Sequence, residues 1–288
     1  MIISGVHGSE YYGVDVVRKL KKNLDTMKIA KFKWKLLIVP ELFPDNIEKG
    51  LDSTKRFVIN WGRKSCDTCN GTNNNCIHCV DPNRQMPANK IFDTNYLLTP
   101  LKDTIEMENR YLLTITQKFN PHRILSVHCK NEEKKEQIGI YVDPRVDEAG
   151  IALNNLEGAG MAINMAFIVK ENGGRILGNF VDEKDTIISV KYIYPKDPKA
   201  VYKGSKQERS FETDDNKNQY TYGTWASTEI KKDGILIKQA ANIFTVEMPQ
   251  FYSFYEGEKP NKVLNTIKLK RNTDAYLKAF KEVFLEIK

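Results

Sequence analysis

Apolar and polar positions along the chain predict strands that alternate with helices. Short apolar runs bounded by turn residues are typical of buried strands. Four such runs occupy residues 31–40, 123–129, 186–195 and 242–249. The opening Met1-Ile2-Ile3 is typical of the last residues of a further apolar strand.

Helical spacing separates these predicted strands. One face of a helix over 11–24 carries four apolar residues: Tyr11, Val14, Val17 and Leu24. Further helices are predicted over 105–119, over 147–174 and, as a capped amphipathic helix, over 272–288. The alternation predicts an α/β fold, with a central mixed, mostly parallel, twisted sheet and helices on both faces.

Length and composition narrow the functional class. The 288 residues allow one large domain with a substantial core, so we predict a single domain, 1–288, with a cysteine-rich insertion at 65–80. No run of about 18 apolar residues is present, and no membrane span is expected. The formal net charge is +7, but acidic residues are interleaved with the lysines, which favours a solvated surface over a nucleic-acid partner.

The segment GVHGSEYYG places His7 and Glu10 three residues apart between a predicted strand and a predicted helix. An imidazole nitrogen and a carboxylate oxygen are two of the ligand types of catalytic zinc, which keeps one position open for water. His128 lies near the end of the apolar run RILSVHC, where a polar residue needs a reason. It is the candidate third ligand, and a hydrogen-bonded core histidine is the alternative.

The start of the chain lacks the charged and apolar regions of a secretory signal peptide. Because a candidate ligand follows the first strand so closely, we expect further strands of the domain upstream of Met1. The localisation stays open between the bacterial cytoplasm and the periplasm.

Other residues with suitable chemistry follow along the chain. Glu247 lies in the apolar run IFTVEMPQ, a setting suited to a general base. In VDPNRQMP, Arg84 can grip a carboxylate with two hydrogen bonds, Asn83 can support it, and Asp81 can orient a metal-bound imidazole. Arg63 lies in NWGRKSC.

The segment CDTCNGTNNNCIHC contains two Cys-x-x-Cys knuckles, formed by Cys66, Cys69, Cys76 and Cys79. Each knuckle can present two thiolates to one tetrahedral metal, so a structural zinc is predicted. Two disulfides are the alternative, favoured by an oxidising compartment. His78 is expected to be a bystander, and Cys129 a buried small residue.

The order of these pieces resembles the zinc metallocarboxypeptidase family related to carboxypeptidase A: His-x-x-Glu, Trp-x-Arg-Lys, Asp-x-Asn-Arg, a strand-terminal His and Thr-Val-Glu. The resemblance covers nearly the whole chain and implies one catalytic zinc at the carboxyl ends of the strands. By motif it implies zinc ligands at His7, Glu10 and His128, with Asp81 as the partner of the first histidine. It implies a base that activates water at Glu247 and an arginine that stabilises the oxyanion at Arg63. It also implies that Asn83 and Arg84 bind the terminal carboxylate of the substrate.

Three departures from the family pattern qualify the resemblance. The segment FPDN stands where the family has an Asn-Pro-Asp-Gly loop. Asn46, which tolerates positive φ, occupies the position of the family's glycine. YGTWAS resembles the specificity segment, so Trp225 is expected near the substrate. Tyr222 or Tyr220 is the candidate for the family's mobile tyrosine, and a packed loop aromatic is the alternative for each. The long interval between the last histidine ligand and the base favours the bacterial branch that trims peptidoglycan.

The sequence therefore predicts a zinc-dependent carboxypeptidase that acts on a peptide with a free C-terminal carboxylate, with a peptidoglycan-derived peptide as the substrate. A related deacylase of N-acyl amino acids would use the same zinc and carboxylate grip. A non-catalytic zinc-binding module is the other alternative, although it would not need the full set of ligands plus base.

Overall fold

The structure is a computed structural model of the chain, and it describes residues 1–27, 34–51, 68–69, 76–77, 81–87, 91–93, 104–131, 137–153, 155–179, 221–250 and 262–287. Several predictions lie outside the described residues: the strand at 186–195, Arg63, Cys66, His78, Cys79 and Tyr220.

The described strands are β1 (Ile2–Ser4), β2 (Ile38–Val39), β3 (Thr68–Cys69), β4 (Cys76–Ile77), β5 (Arg123–Asn131), β6 (Gly139–Val142), β7 (Ile230–Lys232), β8 (Ile235–Lys238) and β9 (Asn242–Gln250). Five of them form one sheet in the order β2-β1-β5-β9-β6. β6 is antiparallel to β9, and the other neighbours are parallel. The predicted mixed, mostly parallel sheet is confirmed.

The described helices are α1 (Tyr11–Thr26), α2 (Pro44–Leu51), α3 (Met107–Phe119), α4 (Leu156–Glu171), α5 (Tyr222–Ala226) and α6 (Lys262–Ala279). None of the helices in these ranges is long and apolar enough to cross a membrane. α1 and α3 lie close to their predicted bounds. Asn46 lies inside α2 and is absent from the described residues with positive φ, so its tolerance of positive φ is not used.

The predicted helix over 147–174 begins too early. The Asp147 carboxylate accepts hydrogen bonds from the amides of Ala149 and Ile151, at 2.9 and 2.8 Å. Gly150 adds a φ of +81°. Because these features close a tight turn, the helix starts only at α4.

The predicted cap of the last helix is also wrong, because α6 begins ten residues upstream of Asn272. Asn272 and Thr273 lie inside the helix and are buried. Asn272 Nδ2 donates to the Tyr12 hydroxyl at 3.0 Å, and Thr273 Oγ1 lies 2.9 Å from the same oxygen. These polar residues therefore fasten α6 to α1. The α-helix ends at Ala279, and a π-helical turn follows.

Alternate residues of β5 and β9 point to opposite faces of the sheet. On the first face, which we call the α1/α4/α6 face, a large apolar cluster includes Leu125, Val127, Cys129, Phe244, Val246 and Met248. On the second, the α3/α5 face, Ile124 and Ile243 join a separate cluster. Ser126, His128 and Lys130 share this second face. In the parallel register, His128 is the partner of Glu247.

The cysteine-rich segment contributes a short antiparallel hairpin. β3 pairs with β4, and Cys69 is the register partner of Cys76. One cysteine of each predicted knuckle therefore lies opposite the other along the backbone. Metal binding by the four cysteines stays a prediction.

Candidate metal centre

The loop after β1 carries His7 and Glu10. Gly5 turns the chain with a φ of +73°, and a Cβ at this position would come 2.9 Å from Ile47 Cδ1. Phe43 N donates to Gly5 O at 3.0 Å and fixes the turn. A 3-10 turn at Gly8–Glu10 then runs directly into α1. Both side chains are thereby directed to the carboxyl end of the sheet.

Three buried side chains meet at this point. His7 Nδ1 lies 2.8 Å from Glu10 Oε1, and His128 Nδ1 lies 3.0 Å from Glu10 Oε2. Their ligand atoms all lie within 4.8 Å of one another. Both imidazoles present the same type of nitrogen to one carboxylate. Two nitrogens and a carboxylate in a compact, buried group fit the ligand set of a catalytic zinc.

A second group of residues fixes the two imidazoles. His7 Nε2 lies 3.1 Å from Asp81 Oδ1, and His128 Nε2 lies 3.0 Å from Ser126 Oγ. In metal sites, such a bond to the outer nitrogen sets the tautomer and the ring orientation. The inner Nδ1 atoms are therefore the ones that face a ligand.

The two carboxylates beside His7 are held in the ionised form. Burial by itself raises the pKa of Glu10, but the charge of His7 and hydrogen bonds to both imidazoles outweigh it and hold that pKa well below its usual range. Burial also opposes ionisation of Asp81, but the hydrogen bond and charge of His7 and the charge of Arg84 lower its pKa. The centre is thus suited to a cation.

Cys129 holds Glu10 in place through two hydrogen bonds. Its backbone N–H donates to Glu10 Oε2 at 3.3 Å, and its thiol donates to the Glu10 carbonyl at 3.6 Å. Gly13 N donates to Cys129 Sγ at 3.1 Å. Burial raises the pKa of this thiol, so it stays protonated. The prediction that Cys129 is a buried small residue is confirmed.

Glu247 lies beside His128 on the neighbouring strand and is 6% exposed. Its Oε1 is 3.4 Å from Lys130 Nζ. Its Oε2 is buried without a hydrogen-bond partner among the described residues. One oxygen of this carboxylate is therefore paired, and the other is left for a ligand or water.

The turn at Asp81–Arg84 is tied to both neighbouring helices. Asn83 Oδ1 accepts a hydrogen bond from Tyr222 N at 3.0 Å. Asn109 Nδ2 donates to Pro82 O at 2.8 Å. Arg84 Nη1 donates to the Asn83 carbonyl at 2.7 Å. Asp81, which also contacts His7, therefore shares one braced turn with Asn83 and Arg84.

Tyr222 and Trp225, the two predicted aromatic contacts to substrate, lie in the apolar core. Tyr222 is 2% exposed, and its hydroxyl lies 2.9 Å from Thr116 Oγ1. Trp225 is fully buried, with Lys238 Nζ 4.9 Å from its ring centroid. Both rings therefore pack in the apolar core around α5. Contact of either ring with a substrate stays a prediction.

Sequence reasoning also missed Ser126, Lys130 and Asn109. The first two alternate with His128 along an apolar strand, so the period of two already placed them on one face. Asn109 has no comparable signal, because a single asparagine on a helix is indistinguishable from a solvated one.

No protein-family model and no curated protein matches the chain. Among solved structures, it is similar to the murein-tripeptide amidase MpaA from Escherichia coli O157, with 17% identity, a TM-score of 0.41 and coverage of 94% of this chain and 80% of that one. It is also similar to bovine thrombin-activatable fibrinolysis inhibitor, solved with a tick carboxypeptidase inhibitor, at 13% identity and a TM-score of 0.48, covering 100% and 83%. Because these similarities are distant, the chemistry of the centre is inferred from its own geometry.

Proposed function

We propose that the protein is a zinc-dependent carboxypeptidase that removes the C-terminal residue of a peptide. One observation carries the proposal: the buried cluster of His7, Glu10 and His128 lies next to Glu247, the register partner of His128. A ligand set with a second carboxylate beside it is what a hydrolytic zinc centre needs. The ordered motifs of the sequence support the same assignment.

The zinc would be held by Nδ1 of His7, Nδ1 of His128 and the carboxylate of Glu10. Zinc at such a centre supplies a Lewis acid that lowers the pKa of water and polarises a carbonyl. Asp81 and Ser126 hold the two rings in the orientation that ligation requires.

Glu247 is the proposed general base. Its Oε2 takes a proton from the water that attacks the peptide carbonyl, and the same carboxyl then delivers the proton to the leaving amine. The lack of a partner for this oxygen among the described residues supports the role. Arg63 is proposed, from the sequence pattern alone, to steady the developing oxyanion.

Asn83 and Arg84 are proposed to bind the terminal carboxylate of the substrate. Because Asn83 Oδ1 accepts from Tyr222 N, its Nδ2 is the atom that can donate to a carboxylate. The guanidinium of Arg84 supplies the positive charge and paired donors that suit a carboxylate. Within this class, a peptidoglycan-derived peptide is the proposed substrate, on the sequence pattern alone.

The test compares peptides that differ only at the C-terminus. The zinc-loaded protein should cleave N-acyl dipeptides with a free carboxylate and leave their amidated twins intact. A chelator should abolish cleavage, and zinc should restore it. Arg84→Ala should lower kcat/KM on the free acid by an amount equivalent to about 2–5 kcal/mol of transition-state stabilisation if the ion pair is desolvated. The surface control Arg18→Ala should leave kcat/KM unchanged. Equal cleavage of acid and amide would contradict the assignment.

Substrate length separates the proposed activity from that of a related deacylase. Because an N-acyl amino acid also carries a free carboxylate, Arg84 serves both reactions equally. Preference for N-acyl amino acids over di- and tripeptides would favour the deacylase. Zinc binding without hydrolysis of either class would favour a non-catalytic module.

We also propose a structural zinc at Cys66, Cys69, Cys76 and Cys79. The spacing of the two Cys-x-x-Cys knuckles carries this proposal. The pairing of Cys69 with Cys76 in the β3–β4 hairpin fits a shared zinc and a disulfide equally. Elemental analysis should find two zinc ions per chain, and replacing Cys66 and Cys69 with serine should remove one. One zinc together with oxidised cysteines would favour the disulfides.

A further inference from the structure

Lys130 has an unusual environment for a lysine near the end of a strand. Its side chain is 20% exposed, and its ammonium lies 3.4 Å from Oε1 of Glu247, whose side chain is 8% exposed. Its register partner on β9 is Pro249, so the side chain reaches back two residues along β9 to meet the carboxylate. An exposed lysine would keep its rotamer freedom and its hydration, whereas this one gives up much of both.

The partly buried setting makes this pair stronger than a surface ion pair. Screening by water weakens interactions between exposed charges, and pairs removed from solvent are screened much less. Lys130 also lies on the same face of β5 as His128, two residues further along the strand. The ammonium is thus fixed at the edge of the metal centre.

We propose that Lys130 is a positioning residue for Glu247, and this inference rests on the proposed function. The ammonium holds Oε1, which fixes the rotation of the carboxylate and directs Oε2 toward the attacking water. The two oxygens then have different tasks, one as an anchor and the other as the proton acceptor. Oε2 has no hydrogen-bond partner among the described residues, in agreement with this division.

The direct test removes the charge and keeps the length of the side chain. Lys130→Met should lower kcat about 10- to 100-fold, because small displacements of a catalytic group have effects of this size. KM and the zinc content should not change, since the ion pair of Lys130 among the described residues is with Glu247, which is neither a proposed zinc ligand nor part of the proposed carboxylate site. Lys130→Arg should retain most of kcat, and Lys118→Met, at an exposed lysine of α3, is the matched control. The substrate is the N-acyl dipeptide that the wild type cleaves fastest.

A double mutant shows whether Lys130 acts through Glu247. If it does, Lys130→Met should have no further effect in a Glu247→Gln background. A wild-type kcat for Lys130→Met, or a full additional loss in the double mutant, would overturn the inference. If Lys130→Met does not fold, as judged by its melting temperature, Lys130→Gln replaces it in the same cycle.

The same set separates this inference from the proposed function. Wild-type turnover by Glu247→Gln would refute the general base itself, whatever Lys130 does. Loss of turnover in Glu247→Gln with full turnover in Lys130→Met would refute only the positioning role.

Discussion

The two faces of the central sheet are built by the same strands and differ in chemistry. On the α1/α4/α6 face, Leu125, Val127, Phe244, Val246 and Met248 join the apolar core together with Cys129. On the α3/α5 face, the same strands contribute Ser126, His128, Lys130 and Glu247. Since neighbouring residues point in opposite directions, one strand can stabilise the fold and place reactive groups at once. Substitutions at adjacent positions can therefore separate stability from function.

The largest effect is expected on the α3/α5 face at Glu247. Glu247→Gln should lower turnover about 10²- to 10⁴-fold, because it removes the proton acceptor and keeps the shape of the side chain. Zinc content and melting temperature should stay near those of the wild type. Steady-state kinetics and elemental analysis measure these quantities, with the exposed Glu157→Gln as the control. Loss of zinc in Glu247→Gln would instead make this residue a ligand.

A loss of stability without a change in the metal centre is expected at Leu125, on the α1/α4/α6 face. Leu125→Ala should lower the free energy of unfolding by about 2–5 kcal/mol, since it leaves a cavity at a fully buried position. The zinc affinity of the folded protein should not change. Urea unfolding and chelator competition test the two parts. A weakened zinc site with unchanged stability would show that the two faces are not separable.

A smaller effect is expected at the neighbouring position, Ser126. Ser126→Ala removes the hydroxyl from His128 Nε2 and should weaken zinc binding about 10- to 100-fold. Competition with a fluorescent chelator measures the affinity, and Ser227→Ala, at a buried serine of the α5 end, controls for loss of a buried hydroxyl. Unchanged affinity would mean that Ser126 does not orient the ring.

The smallest effect is expected at the partly exposed Arg18–Glu41 pair. The hydrogen bond from Arg18 lowers the pKa of Glu41, so the pair stabilises the fold above the unfolded-state pKa and loses this effect as the pH falls through the folded-state value. Because the side chains are 45% and 34% exposed, Glu41→Gln should cost about 1 kcal/mol or less at neutral pH. The difference from the wild type should shrink in acid, as urea unfolding at several pH values would show. A constant difference would exclude this titration.

Much of the fold could be predicted from the sequence because its strands are strongly apolar. β5 and β9 lie where the apolar runs placed them, and His128 and Glu247 were noticeable as polar residues within those runs. Helix starts were less predictable. Asp147 and Asn272 are both typical cap residues, yet one closes a turn and the other contacts Tyr12 within a helix.

The least predictable part of the site is the set of contacts between distant segments. Asp81 meets His7 across 74 residues of chain, and Tyr222 N meets Asn83 across 139. Lys130 was missed because a lysine near a strand end is usually solvated, and only the register with β9 brings it to Glu247. Local patterns report periodicity, whereas such contacts depend on how strands are ordered in the sheet.

The position of β9 has a consequence for biosynthesis. Among the described strands of the sheet it comes last in chain order, yet it lies between β5 and β6. As the chain leaves the ribosome, the edges of β5 and β6 that pair with β9 stay unpaired until Gln250 has emerged. Unpaired strand edges promote association with other chains. The same strand delivers Glu247. A nascent chain that stops short of β9 would thus hold both histidines without the proposed base. The described part of the sheet is joined in the same step that brings Glu247 to His128.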